Sequence, residues 1–485
     1  MAKFTHDIII VGGGAAGLTA TVGCAQLGLK TLLIDREKLG GDCLYYGCVP
    51  SKSLIKSATV YQHARDFSHF GLPEHELPPV EMPKVNERVQ NVIQTIAKHD
   101  SPERFEKLGA EVRLRPVRFL SPHELRIDDS ETVSAKKIVL ATGSGPRFVP
   151  IPGLAEAGYI TNREVFSLPR RPDHLLVIGS GPIGTEMSQA FLRLGARVTV
   201  FDLAGQMLPK EDADMAEIVS KRVSAEGADL RLGVKIKEVR SRDGRKIIVL
   251  ETDGGGEEEI AGDEILLSAG RQGNSEGLDI EKAGVEAERS FFKVNDKLQT
   301  SQKHIYAAGD CNGKFLFTHV AGAEGSMVVR KAALHAPGKM SYESVPWCTY
   351  TDPELASIGY NETRAKQAGI DYKVYTEAFH GNDRALAEGE SEGLVKVLTD
   401  KRDRVIGMQI AALHAGDLLL PGLFAQSERW KVSRLMNPIY PYPTMGETEK
   451  RLGSNVMAPK LFNDKVRGLL KFFFGYRGTA GHDFG

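Results

Sequence analysis

The most restrictive pattern in the chain lies in residues 7–35. Asp7–Val11 is a strand-like run, apolar after its first residue, and passes directly into Gly12-Gly13-Gly14-Ala15-Ala16-Gly17. A helical stretch follows, then a second apolar run, Thr31–Ile34, closed by Asp35. Glycines at this spacing permit a tight turn, close approach of a pyrophosphate to a helix N-terminus, and tight helix–strand packing. The acid 18 residues after Gly17 is in register to bind a ribose hydroxyl. A glycine triplet alone says little. Set between strand and helix with its acid in place, it specifies a βαβ unit for a dinucleotide, with Gly12, Gly14, Gly17 and Asp35 as candidate binding residues.

The unit occurs twice. Leu175–Ile178 leads into Gly179-Ser180-Gly181-Pro182-Ile183-Gly184, then a helix, then Val198–Phe201 closed by Asp202. Gly179, Gly181, Gly184 and Asp202 are the matching candidates, and two fingerprints imply two dinucleotides. Asp202 can accept from both ribose hydroxyls but repels a 2′-phosphate, and Leu203–Gln206 offers no arginine to bind one. NADH is therefore expected over NADPH.

Cys43 and Cys48 stand five residues apart in Gly40-Gly41-Asp42-Cys43-Leu44-Tyr45-Tyr46-Gly47-Cys48-Val49-Pro50-Ser51-Lys52. On a regular helix an i, i+5 pair is separated by roughly 8 Å, beyond the ~7 Å reach of a disulfide. A bond between them needs a distorted first turn, which Gly47 permits and Pro50 helps to end. Taken alone, the spacing is equally compatible with two unrelated thiols.

With both fingerprints and the cysteine pair, the chain resembles the class I pyridine nucleotide-disulfide oxidoreductases, among them dihydrolipoamide dehydrogenase, glutathione reductase and mercuric reductase. Further segments carry the resemblance: Ala141-Thr142-Gly143-Ser144, Ala269-Gly270-Arg271, Tyr306-Ala307-Ala308-Gly309-Asp310 and Thr351–Ala356. It covers about residues 5–455. The resemblance implies an α/β fold with two Rossmann-like dinucleotide-binding domains and a C-terminal α+β dimerisation domain. The FAD domain is expected at 1–148 and 275–343, the NAD domain at 149–274 and the dimerisation domain at 344–455, followed by a basic amphipathic tail at 456–485. It implies FAD and NAD as cofactors, with Thr142, Gly143, Asp310, Gly270 and Arg271 among the binding residues. It also implies a redox-active Cys43–Cys48 disulfide, Cys48 against the flavin and Cys43 facing the substrate. Lys52 matches the family lysine near the flavin, and Glu186 its ion-pair partner.

Local patterns fill in the rest. Val85, Val89, Val92, Ile93 and Ile96 recur at helical spacing as a packing stripe. Lys246–Glu251, the glycine run 254–256 and the acidic stretch to Ile260 read as a hairpin with a solvated tip. In the third domain Tyr372–Tyr375, Gly393–Leu398 and Val405–Ile410 are strand candidates. The formal net charge of -1 gives no bias toward nucleic acid, and no apolar run reaches the ~18 residues of a membrane span. Five scattered cysteines, and a start with no signal-peptide pattern, fit a reducing cytoplasm with one functional pair. His319 and His414 have no metal-ligand spacing and read as structural; no metal site is expected.

Three departures bear on activity. Relatives with a histidine base carry His-Pro-Thr followed by a glutamate, contributed across the dimer interface. Here the stretch is Tyr442-Pro443-Thr444-Met445-Gly446-Glu447. A phenol with pKa near 10 is a poor base at neutral pH, and Glu447 lacks the imidazole it would orient. Mercuric reductases resemble this chain in having tyrosine there, but they add a C-terminal cysteine pair that Gly478–Gly485 lacks. Pro182 stands where several relatives place a gating tyrosine, so a more open nicotinamide pocket is expected. In the tail, Leu461–Phe462, Val466, Leu469–Leu470 and Phe472–Phe474 alternate with Lys460, Lys465, Arg467, Lys471 and Arg477. Such a segment packs back on the dimer, lies on an anionic membrane or docks a partner.

The leading expectation is a homodimeric NADH-oxidising flavoprotein whose dithiol reduces a soft metal ion or an unidentified disulfide. Dihydrolipoamide dehydrogenase-type activity, or a redox subunit or sensor acting on a protein partner, are the alternatives. A plain NADH oxidase would need only a flavin-side cysteine.

Overall fold

The structure, a computed structural model, describes residues 4–74, 76–251 and 256–479. It divides into two compact units: the chain up to Pro209 with Ser220–Tyr342, and Lys210–Val219 with the chain from Glu343 on.

The first unit contains both fingerprints, each on its own sheet. In the first sheet His6–Val11 lies between Thr31–Asp35 and Glu131–Leu140, parallel to both, and Ala110–Leu114 extends it beyond Thr31–Asp35. Ile305–Ala307 returns to pair in parallel with Glu131–Leu140, from which an antiparallel excursion runs through Glu124–Ile127 to Val117–Ser121. Ile8, Ile9 and Ile10 are all wholly buried because a parallel strand is covered on both faces, which is why Asp7–Val11 reads as continuous rather than alternating hydrophobicity.

The second fingerprint repeats the arrangement. Its four parallel strands run Asp229–Leu232, Arg197–Asp202, His174–Ile178 and Glu264–Leu267. Beside it is an antiparallel sheet of Ile236–Arg242, Arg245–Glu251 and Glu257–Gly262. The sequence-predicted hairpin is therefore two strands of three. Its first strand went unread because Ile236–Arg242 mixes basic and acidic residues. The glycine tip, residues 252–255, lies outside the described residues. The stripe on the helix Met82–Ala97 buries Val89 and Ile93, while Ile96 at its far end is exposed.

The second unit is built on a five-stranded antiparallel sheet in the order Pro346–Thr349, Glu354–Gly359, Val405–Ala412, Leu394–Thr399, Lys373–Ala378. Lys396, 2% exposed, projects from it between three carboxylates: Asp214 at 2.9 Å, Asp212 at 3.1 Å and Glu362 at 2.6 Å. Burial opposes its charge, yet hydrogen bonds to Glu362, Asp214 and Asp212 hold its pKa above the ordinary lysine range. Through Asp212 and Asp214 this cation ties the segment Lys210–Val219 to the sheet.

One buried acid in this unit has no hydrogen-bond partner among the described residues. Glu449, on the helix Glu447–Leu461, is 1% exposed and neither carboxyl oxygen meets a donor. Burial pushes its pKa to about 8 from an ordinary 4.5. The folded chain keeps a proton there that the unfolded chain releases, so Glu449 costs nothing below about pH 4.5 and progressively more as pH rises toward 8. Glu449→Gln should therefore match wild type in thermal midpoint at about pH 4 and exceed it at about pH 8.5, by a free energy of no more than about 5 kcal/mol. Parallel pH dependence in the two proteins would show that the carboxyl is not held neutral.

Candidate active site

The cysteine segment is two helices rather than one distorted helix. Gly41–Tyr45 forms a short helix, the chain breaks at Tyr46–Gly47, and Cys48 opens the long helix Cys48–Arg65. A Cβ on Gly47 would stand 3.0 Å from the Cα of Cys43, so any larger residue would crowd the fold-back and push the neighbouring backbone away. The break brings Cys43 and Cys48, both free thiols, close enough for each to shift the other's pKa. Cys48 Sγ also lies 3.6 Å from Thr318 Oγ1.

The two sulfurs are electrostatically unequal. The hydrogen bond from Cys43 draws the Cys48 pKa down, with help from Thr318 and the Lys52 charge, against the effect of burial. Its place at a helix N-terminus acts in the same direction. Cys43 is pushed up by that same hydrogen bond and then by burial. Lys52, one turn further on, holds Glu186 of the helix Pro182–Arg193 at 2.9 and 3.1 Å. The carboxylate is 6% exposed and the lysine 35%.

Gly12, Gly14, Asp35, Thr142 and Gly143 line one cavity of about 350 Å³, together with Asp42 and Ser144. Gly17 lies beneath it, where a Cβ would collide with the carbonyl of Gly12; Gly184 stands in the same relation to Gly179. Asp35 accepts from the backbone N–H of Gly13 at 2.7 Å and of Glu37 at 2.9 Å. Asp202 does the same with Ser180 at 2.6 Å and Ala204 at 2.8 Å. Each carboxylate retains lone pairs for a ribose hydroxyl. Gly181 faces open space.

Arg271 knits the far wall. It donates to Asp42 at 2.7 Å and to the carbonyl and hydroxyl of Ser144 at 2.8 Å, and Ser144 donates to Asp310 at 2.7 Å. Gly270, with φ +109°, lets the preceding turn pass beside the Arg147 guanidinium. Asp310 opens a three-residue turn, Asp310–Asn312, and the helix Thr318–Val328 begins later. Burial raises the Asp310 pKa, while Ser144 and Arg271 oppose the rise.

Tyr442 and Glu447 lie in the second unit. Tyr442 is exposed and donates its hydroxyl to Asp383 at 3.0 Å, which raises its pKa further. Glu447 accepts from the backbone N–H of Thr444 at 3.3 Å and begins its helix.

Sequence reasoning missed Asp42, Ser144, Thr318 and Glu324. Glu324, 1% exposed, accepts from the N–H of Gly309 and from Asn312, and so holds the turn that carries Asp310. Its signal is an acid among small residues in Ala321-Gly322-Ala323-Glu324-Gly325. Asp42 sits inside the cysteine motif. Ser144 and Thr318 offer no signal beyond being hydroxyls beside recognised residues.

Two buried atoms on or near the cavity wall, Thr142 Oγ1 and Asp42 Oδ1, have no hydrogen-bond partner among the described residues. A cofactor rich in hydroxyls supplies such partners, and FAD fits this wall.

The pyridine nucleotide-disulphide oxidoreductase family model matches residues 6–325, and the dimerisation-domain model of the same family matches residues 345–452. Among curated relatives, dihydrolipoyl dehydrogenase of Thermus scotoductus is 34% identical, covering 91% of this chain and 95% of its own. The Bacillus subtilis dihydrolipoyl dehydrogenase is 31% identical, covering 91% and 96%. Among solved structures, the HOCl-induced flavoprotein disulfide reductase RclA from Escherichia coli aligns with a TM-score of 0.83 at 25% identity, covering 93% of this chain and 100% of its own. The chain belongs to the pyridine nucleotide-disulphide oxidoreductase family. It is a flavoprotein oxidoreductase that uses FAD and NAD(H), and it carries the family's dimerisation domain.

In the dithiol form, thiolate absorbance at 240 nm should titrate below the ordinary thiol range and disappear in Cys48→Ser. Lys52→Gln should move its midpoint upward, because the lysine charge favours the thiolate. An unchanged midpoint would remove Lys52 from the account of the Cys48 thiolate.

Proposed function

We propose that the chain is a homodimeric NADH-oxidising reductase whose Cys43–Cys48 pair delivers electrons to a soft metal ion or to a specific disulfide not yet identified. The observation carrying this reading is Tyr442. A hydroxyl that donates to Asp383 and whose pKa is raised holds its proton at neutral pH and cannot act as a base.

FAD, which Gly12, Gly14, Asp35, Thr142 and Gly143 would hold, would supply the transfer of an electron pair from NADH to the disulfide. On receiving the pair, the Cys43–Cys48 bond breaks. Cys48 holds the negative charge, stabilised by Cys43, Thr318 and Lys52, and Cys43 takes up a proton. With a disulfide substrate, Cys43 must lose that proton, attack one sulfur and expel a thiolate. Cys48 then attacks Cys43, restores the bond and releases the second thiol. The first step requires a proton acceptor that Tyr442 does not provide. A soft metal ion needs less help, since thiolates are its preferred ligands and binding itself displaces the proton. In the homodimer, Tyr442 and Glu447 of one chain would face Cys43 of the partner subunit. Lys52, paired with Glu186, is assigned beside the flavin, and the two fingerprint acids beside the two ribose groups.

A second reading, dihydrolipoamide oxidation, is favoured by the names of the curated relatives. The two readings separate on one substitution. Wild type should oxidise dihydrolipoamide weakly, and Tyr442→His should raise that rate, because a positioned base contributes about 10²–10⁴-fold. Rapid dihydrolipoamide oxidation by the wild type would overturn the argument from the missing base.

NADH should be used with higher kcat/KM than NADPH, and Asp202→Arg should narrow or invert the ratio by removing the repulsion of a 2′-phosphate. Equal wild-type values would show that Asp202 does not read the ribose.

A further inference from the structure

The chain after the helix Glu447–Leu461 forms a second helix, Asp464–Phe474, with no buried residue. Asn463 caps it by accepting from the N–H of Val466 at 3.0 Å, and donates to the carbonyl of Lys460 at 2.8 Å, fixing the junction. Gly475, at φ +65°, ends it. At 100° per residue, Val466, Leu469, Leu470 and Phe473 share one face, with Phe472 and Phe474 at its two edges. The face is exposed: Leu469 at 56%, Phe472 at 82%, Phe473 at 68% and Phe474 at 65%. Lys465 and Arg467 fall at its two borders and Lys471 opposite, with Asp464 the only acid. From Lys460 to Arg477 there are five basic residues against that one acid, in a chain whose overall formal charge is -1.

We propose that this helix docks the enzyme peripherally on an anionic lipid bilayer. An aromatic-rich apolar face bordered by long cationic side chains matches the acyl–headgroup boundary. The rings enter the apolar side, while Lys465 and Arg467 extend sideways to lipid phosphates. The concentration of positive charge in a chain that is otherwise net acidic gives the complementarity to an anionic surface. Eleven residues make a helix about 16 Å long, too short for the ~30 Å hydrocarbon core, so it lies in the interface rather than crossing it. Among the described residues no helix is long and apolar enough to span a membrane.

The test is co-sedimentation of the full-length, FAD-loaded protein with vesicles of phosphatidylcholine alone and of phosphatidylcholine with phosphatidylglycerol. Wild type should pellet with the anionic vesicles, far less with the neutral ones, and be released by high salt. The variants Leu469→Ser/Phe472→Ser/Phe473→Ser and Lys465→Gln/Arg467→Gln/Lys471→Gln should each bind at least about tenfold more weakly. Both should keep wild-type NADH oxidation and wild-type mass by light scattering. Equal sedimentation with both vesicle types, or unchanged binding by the serine variant, overturns the proposal. A serine variant that falls to half the wild-type mass also overturns it and assigns the face to a second copy of the chain.

Discussion

The ion pair between Lys52 and Glu186 is the contact on which the redox arrangement turns. Lys52 belongs to the helix opened by Cys48, and Glu186 to the helix opened by the second glycine fingerprint. One carboxylate thus fixes the thiol helix against the second nucleotide-binding element, and the same lysine supplies positive charge one turn from the Cys48 sulfur. Glu186 is nearly buried while Lys52 remains a third exposed. Losing the lysine would weaken the pairing of a desolvated carboxylate, at a cost at or below the ~3–5 kcal/mol of a fully buried pair because water reaches the cation. Geometry and thiolate electrostatics therefore depend on one side chain.

Close packing explains why the fingerprints were legible. Gly17 against Gly12 and Gly184 against Gly179 leave no room for a side chain, so the residue type follows directly from the backbone path. The two acids repeat one another down to the hydrogen bonds they accept from the turn beneath them. Parallel strands buried on both faces announce themselves as unbroken apolar runs, as in Ile8–Val11 and Leu175–Ile178. Where structure is dictated by such local sterics and burial, one sequence suffices.

What stayed hidden depends on partners distant in the chain. Ile236–Arg242 is a strand because Arg245–Glu251 pairs with it and its charged residues meet those of Glu257–Gly262, not because of its own pattern. Glu324 earns its burial from Gly309 and Asn312, and Thr318 matters through a sulfur 270 residues away. The helix break at Tyr46–Gly47 was half legible: the spacing required a distortion, but a two-helix solution could not be read from it. Asp310 is similar: a loop separates its short turn from the helix Thr318–Val328, and no local pattern announces that loop.

The unequal thiols and the missing imidazole form one argument about protons. A dithiol that stores an electron pair as one thiolate and one thiol has a natural direction, with the charge on Cys48 and the proton on Cys43. Discharging it onto another sulfur requires moving the Cys43 proton, and the residue at the expected base position is a phenol that already donates to Asp383. The low Cys48 pKa makes it a good leaving group when a thiol attacks Cys43 in the disulfide. The barrier is confined to one proton transfer, so acceptors differ by whether they can take that proton themselves. An acceptor that displaces it by coordination, or a disulfide whose own leaving thiolate sits close enough to receive it, escapes the restriction. Dihydrolipoamide is a donor rather than an acceptor: to attack the oxidised pair it must surrender its own protons, and on the proposed reading Tyr442 would not take them. On the proposed reading, substrate choice would be set less by the redox pair than by the single side chain at the base position, a phenol that keeps its proton.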